Sequence, residues 1–590
     1  MFALNNSTTP QATLSHTWTH GKLTLRSGLE VRRYQLNLAS GFDLPQYSFT
    51  GFVGPVGLFG ASPSQAQAVA ATASTTAYGV NGGPTTPLRG FRSTQQEYFA
   101  QADWRVRKDL TINLGLRYGY FGVYSEVNGA FANLYATSNG QVVPDASPFA
   151  FGHTANVVAP VADGRPLYQP DRNNFQPRVG AAWNLFGRDS TVLRGSFGVY
   201  SDRIIPLEFS LVVENAPYAI STAAANVPYT AGAAIPVNPQ TATVYGIDPR
   251  IRNPYTMRFN AAVEQKIGGD TSVTAAYVGA RGRDLLRYTS PNGGGTVPQA
   301  LRPDPRFALQ RVVANGTASD YDSLQVFTRR RFSQGIDFTV AYTYAQSTDD
   351  VSAAFDFTAA GQSLVNLGAA SATGFQGGGA NGWVARPFRA DRGRSDFDVT
   401  HNLTISHVIE LPFGRGRRFG KSAPAPLNAV LGGWSVARIA ILRSGTPFSA
   451  TVGSDVNDDG ATDDRPALAG GSLGDLYAGG KLGRTQFLVP QAQARTSLVA
   501  SPSVTDPFSV IARNAFRAPS VRFYDVSLIK KFALTERASL GVEINAFNVF
   551  NQALFGAPTA SLSSAFFGLI TASAPGTNPR QLQFGLRLGF

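Results

Sequence analysis

The alternation across residues 581–590 constrains the fold more than any other feature of the chain. Leu582, Phe584, Leu586, Leu588 and Phe590 interleave with Gln583, Gly585, Arg587 and Gly589, so a strand of period two has one apolar and one polar face. In a soluble sheet, an edge this apolar invites aggregation unless the sheet closes or sits in lipid. The pattern is that of a strand in a transmembrane β-barrel of the outer-membrane type.

Composition narrows the class in the same direction. No Pro/Ser-rich linker or charge run divides the 590 residues, which favours one large β structure over 1–590. The 61 glycines, with 11% aromatic and only 15% charged residues, suit a turn-rich β protein. With no cysteine there is no disulfide framework, thiolate zinc site or Cys nucleophile to consider. No apolar run reaches the roughly 20 residues that a spanning helix requires, so any crossing is made by strands.

Alternating segments occur in pairs near 12–19/22–34, 97–107/110–121, 176–186/191–203, 255–267/271–283, 321–332/336–347, 397–411/434–450 and 522–532/537–549, with 581–590 last. These make about fifteen strands. Short turns rich in Gly, Asn and Asp types join the members of each pair, the sixth, through LPFGRGRRFGKS, being longer. Long loops at 35–96, 122–175, 204–254, 284–320, 348–396, 451–521 and 550–580 join pair to pair. Short turns at one end and long loops at the other match short periplasmic and long extracellular connections. A two-sheet sandwich with a dry core explains the alternation but not this asymmetry.

Leu114, Phe338 and Phe584 are expected to face outward to lipid, and Arg117, Thr339 and Gln583 inward. Trp18, Trp104, Trp183 and Trp434 lie near the short turns and are expected to form one girdle at the periplasmic interface. A complete single-chain bacterial barrel has an even number of strands with both ends inside. Fifteen therefore predict an incomplete barrel whose first and last strands pair poorly or close a smaller, strained barrel. The opening MFALNNSTTPQATLSHT shows no secretory signal, which points the same way.

The segments NPYTMRFNAAVEQKIGGDTSVTAAYVGARGRDLLRY, YDSLQVFTRRRFSQGIDFTVAYTYAQS, FDVTHNLTISHVIELPFGRGRRFG, GGWSVARIAILRSGTPFSA and RFYDVSLIKKFALTERASLGVEINAFNVFNQALFG resemble the C-terminal barrel of Oar-like TonB-dependent outer-membrane receptors. The resemblance runs from about Thr13 to Phe590. It implies residence in the bacterial outer membrane and import of a large solute, an oligosaccharide, peptide or protein. It also implies a carboxypeptidase-regulatory-like domain, a plug and TonB energy coupling, none of which is read in this chain. A non-transporting adhesion barrel and a passive porin are the alternatives.

Chemistry-bearing candidates are few. In DVNDDGATDD, Asp455, Asn457, Asp459 and Asp463 offer hard oxygen ligands around Gly460, as in the first half of a calcium loop. The twelfth position is Pro466 rather than a bidentate Glu, so a solvated Asx-turn loop is the competing reading. The loops at 348–396 and 451–521 are expected to form an extracellular cap, stiffened by Ca²⁺ at those four residues. GGSLG, with Ser472 at its centre, has the form of a nucleophile elbow without its strand-turn-helix setting. The histidines His16, His20, His153, His401 and His407 show no metal-ligand spacing, and no enzyme is expected. The net charge of +13 is spread over turns and strands, as at Arg329, Arg330 and Arg331, so nucleic acid is not the expected partner. Arg415, Arg417, Arg418 and Lys421 are placed to meet lipid headgroups, and other basic residues lipopolysaccharide or an acidic ligand.

Overall fold

The computed structural model describes residues 4–39, 45–48, 72–78, 88–139, 141–145, 156–161, 165–186, 190–225, 242–289, 305–307, 309–352, 391–454, 464–499, 510–535, 537–574 and 576–590. Within them a single antiparallel meander forms a wall, each strand hydrogen-bonded to the next. Its first eight strands are β1 (Leu4–Thr8 continued by Gln11–His20), β2 (Leu23–Ala39), β3 (Leu88–Arg107), β4 (Leu110–Phe121), β5 (Phe175–Leu185), β6 (Thr191–Ser201), β7 (Tyr255–Ile267) and β8 (Thr271–Thr289). The remaining seven are β9 (Leu309–Ser333), β10 (Ile336–Asp349), β11 (His401–Glu410), β12 (Trp434–Arg443), β13 (Val521–Ala533), β14 (Ser539–Phe547) and β15 (Gln581–Gly589). Eight and seven make the fifteen that the alternation predicts.

Local chemistry explains the joints. Pro10 has no N–H to donate and splits β1, yet one register persists across it, from Thr8 opposite Gln35 to Gln11 opposite Arg32. Both residues of the Gln334-Gly335 turn have positive φ, 54° and 81°, as a tight hairpin between twisted strands requires.

Pairing fixes which side chains share a face. From Leu114 the ladders run through Val179, Phe197 and Phe259, and the same face carries Phe338 and Phe584. Arg117, Thr339 and Gln583 lie on the opposite face, as the alternation predicts. All four turn-proximal tryptophans, Trp18, Trp104, Trp183 and Trp434, also fall on the apolar face. That face is open: Leu586 is 78% exposed and Phe584 73%.

Among the described residues β1 pairs only with β2 and β15 only with β14, so the sheet is not closed.

Two differences from the expected boundaries matter. β2, β3, β8 and β9 run well past the hairpin cores; β2 alone has 17 residues, about 56 Å at 3.3 Å each, against an apolar band of about 25 Å. The surplus rises beyond the band and supports the loops. The expected strand 434–450 instead ends at Arg443, because the backbone at Gly445 packs onto Ala518, where an added Cβ would sit 1.8 Å from the carbonyl oxygen. Only glycine fits that crossing.

The buried apolar core sits among the loops. One cluster gathers Phe91, Tyr124, Phe131, Leu167, Phe209, Val212, Tyr245, Ile247 and Val313. Two buried amides stitch it: Asn215 Nδ2 donates to the carbonyls of Ala132 and Tyr245, both at 2.6 Å, and Asn133 Nδ2 donates to the Ile247 carbonyl at 2.9 Å. The Glu126 carboxylate accepts N–H groups from Gly90, Asn128 and Ala130 at 3.1, 2.7 and 3.0 Å. Here Thr243–Ile247 pairs in parallel with the start of β9, a local exception to the antiparallel pattern. A second cluster packs Leu476, Leu488, Leu498, Ile511, Phe516, Leu562 and Phe567.

Candidate functional site

At the long-loop end, arginines and aspartates from β9, β10 and three loop segments interlock. Chain segment 391–398, Asp-Arg-Gly-Arg-Ser-Asp-Phe-Asp, supplies acids and bases in turn just before β11. The Arg513 guanidinium donates to the Asp349 carbonyl at 2.8 Å, to the Asp349 carboxylate, to Asp396 Oδ1 at 3.1 Å and to the Asp391 carbonyl at 3.0 Å. Arg517 donates to the Asp398 carboxylate and to the Gly445 carbonyl at 3.1 Å. Asp398 in turn accepts the Ser347 N–H at 2.6 Å, so the carboxylate is fully engaged although its side chain is 1% exposed. Arg465 meets Asp391 at 3.1 Å, and Arg392 meets Asp350 at 3.2 Å and also Asp320 on β9.

A buried carboxylate is tolerated only with such compensation, because its desolvation otherwise outweighs the pairing. Asn514, with φ 58°, completes the knot, donating to the Arg394 carbonyl at 2.7 Å and to Asp396 Oδ1 at 2.6 Å. Beneath it Tyr477 accepts the Arg517 N–H at 2.8 Å, and burial pushes its phenol up from the ordinary tyrosine range. Described parts of the two loops expected to form a cap, 348–352 and 391–396 of the first and 464–499 and 510–521 of the second, are thereby joined to the wall and to each other.

A pocket beside the first cluster is lined by Tyr34, Ser93, Gln95, Tyr168, Arg203 and Asn253, with the Arg203 guanidinium 3.7 Å from the centre of the Tyr34 ring. On the polar face of the wall Glu97 and Glu30 flank Arg117, Glu30 at 3.6 Å. This face is charged and wettable, the chemistry expected of a lumen.

Ser472 is not poised as a nucleophile. Its hydroxyl donates to Asp475 Oδ2 at 2.9 Å and its N–H to the same oxygen at 2.8 Å, a capping box that opens the 3₁₀ turn Leu473–Leu476. The Ser472 backbone N–H, then its hydroxyl, hold the Asp475 carboxyl below the usual range. His16 and His20 lie on β1, while His401 and His407 lie on the apolar face of β11, His401 within 2.8 Å of the Tyr342 hydroxyl. His153 lies outside the described residues.

Asp455, Asn457, Asp459 and Asp463 also lie outside the described residues. The chain on either side of them is held together, the Val452 N–H donating to the Asp464 carbonyl at 2.7 Å. Among the described residues no group of three His, Cys, Asp or Glu side chains is placed to hold a metal ion. The Arg–Asp knot escapes motif reading; the alternating charges of 391–398 are its only local signal.

A family model described as outer membrane beta barrel domain matches residues 3–583. No curated protein sequence matches the chain. Solved structures similar to it include the siderophore receptor PiuA from Acinetobacter baumannii, at 10% identity and TM-score 0.43, covering 100% of this chain and 56% of that one. The ferripyoverdine receptor of Pseudomonas aeruginosa is 10% identical with TM-score 0.43, covering 100% and 48%. The outer membrane transporter YddB from Escherichia coli is 9% identical with TM-score 0.43, covering 99% and 62%. The chain thus spans between about half and three fifths of the lengths of these proteins.

Proposed function

Because this chain belongs to the outer membrane beta barrel domain family and resides in the bacterial outer membrane, we propose that it is the barrel of an Oar-like TonB-dependent receptor. In this reading it binds a large solute, an oligosaccharide, peptide or protein, through its long extracellular loops. Import follows when a plug and TonB energy coupling are supplied. The observation that carries the reading is the Arg–Asp knot, which joins loop segments from distant parts of the chain into one preformed surface above a wall with a charged inner face. Preorganisation of this kind lowers the ordering cost of capture. The same reading places Ca²⁺ at Asp455, Asn457, Asp459 and Asp463, within a segment whose neck is already closed.

Uptake of fluorescent oligosaccharide and peptide pools by expressing cells tests it, with and without a protonophore. Energy-dependent import is expected. Import that survives the protonophore, with steady conductance in planar bilayers, identifies a porin, and adherence without import an adhesion barrel. Calcium titration beside an Asp455→Ala, Asp459→Ala variant tests the cation. Equal binding by the two removes calcium from the reading.

A further inference from the structure

Among the described residues the sixth short turn, 411–433, differs from the other short turns in carrying a helix, Ala425–Leu431, that buries none of its residues. Its Leu427, Val430 and Leu431, spaced i, i+3 and i+4, form an exposed apolar strip. Beside it stand exposed Phe413 and Phe419, their ring centres 5.6 Å apart. The segment also carries Arg415, Arg417, Arg418 and Lys421 and no acid. A soluble turn has no use for five exposed apolar side chains among four cations.

The attachment shows where this helix lies. Lys530 Nζ donates to the carbonyls of Val430 and Gly432 at 3.0 and 2.6 Å, and Trp434 Nε1 donates to the Val430 carbonyl at 2.8 Å. Lys530 and Trp434 are paired across β12 and β13 on the apolar face. A cation and an indole at its last carbonyls therefore pin the helix C-terminus to the lipid side of the wall, not beneath the lumen. Two of the basic residues are occupied: Arg417 pairs with Glu410 at 2.7 Å, and Arg415 Nε donates to the Ala423 carbonyl at 3.3 Å. Arg418 stacks over Phe419 with its guanidinium 5.5 Å from the ring centre, and Lys421 is exposed.

We propose that residues 411–433 form an interfacial foot that lays Leu427, Val430, Leu431 and Phe419 into the periplasmic leaflet and sets Arg418 and Lys421 against the phosphates of anionic phospholipids. The amphipathic strip, the absence of acids and the lipid-side attachment together match a helix lying in the headgroup plane of an anionic leaflet. The inference rests on the membrane placement of the wall and is independent of any transported solute.

The absence of cysteine makes the test direct, because Val430→Cys takes a single environment-sensitive fluorophore without disturbing the backbone carbonyl that Lys530 holds. The whole chain is inserted into vesicles of phosphatidylcholine, alone or mixed with phosphatidylglycerol, and a label at Leu586→Cys reports insertion. The Val430 label should emit to the blue and be quenched by a shallow spin-labelled lipid rather than by iodide, more so with phosphatidylglycerol. Arg418→Gln with Lys421→Gln should abolish the phosphatidylglycerol dependence, at roughly fivefold per cation, whereas Arg417→Gln should preserve it. Full quenching by iodide in both membranes overturns the proposal. Shielding that appears only on adding a periplasmic protein fraction also overturns it, since the face then belongs to a protein.

Discussion

Leu586 in the wall and Phe209 in the loops are both large apolar side chains, yet one is 78% exposed to the surroundings and the other 1%. The wall spends its apolar residues on its outer face, where alternation with polar residues is the sole organising rule. The loops spend theirs inward, around Phe209 and around Phe516, as a water-soluble domain does. The same side chains serve two solvents in one chain, and the boundary falls where β2, β3, β8 and β9 outrun the membrane band.

The largest test of this contrast is Phe209→Ala. Removing a ring packed against Phe91, Tyr124 and Phe131 should cost that loop body about 3–5 kcal/mol. Amide exchange should accelerate at 204–214 and leave β11 to β15 unchanged. A uniform acceleration would show that wall and loops unfold as one unit. Next in size, Leu586→Arg should destabilise the chain by about 2–4 kcal/mol in vesicles, read as a lower urea midpoint. In detergent, where the headgroup can bend around the cation, the same variant should lose less; equal losses would mean that this face does not meet hydrocarbon.

Asp398→Asn should follow, at about 2 kcal/mol, because it leaves the Arg517 and Arg394 guanidiniums short of their carboxylate. Its effect should appear as proteolytic nicking near 510–517 with the strand hairpins intact. An unchanged digestion pattern would remove the knot from the account of loop order. The smallest effect concerns pH. Asp475 is held below its unfolded value, so its contribution to the turn Leu473–Leu476 is complete above about pH 4 and is lost as pH falls through the lowered folded value. Proton exchange across 472–477 should therefore rise only in acid, after correction for intrinsic rates, and Asp475→Ala should flatten that dependence.

The wall was legible in the sequence because its determinants are local. Period-two alternation at 110–120 and 336–344, with Gly21 or Gln334-Gly335 at a turn, needs no knowledge of distant residues. Face assignments followed for the same reason, and so did the common face of Trp18, Trp104, Trp183 and Trp434. The loop bodies were not legible. Arg513 and Asp349 are 164 residues apart, and the Asn133 amide meets Ile247 across 114. Neither pairing leaves a periodicity to read. Strand ends failed for a related reason: Gly445 stops β12 through contact with Ala518, a partner that no window around position 445 contains.

The hydrogen bond from the Val452 N–H to the Asp464 carbonyl separates the wall from the chain it encloses. It fastens the base of segment 455–463, so the length of the segment is uncoupled from the geometry of its anchor points. Doubling it would cost only about 0.6 kcal/mol in closure entropy, small beside the packing that holds the base. A longer or shorter segment between the same two anchor points would leave the pairing registers of the strands as they are, so the wall and what lies beyond this neck can vary independently.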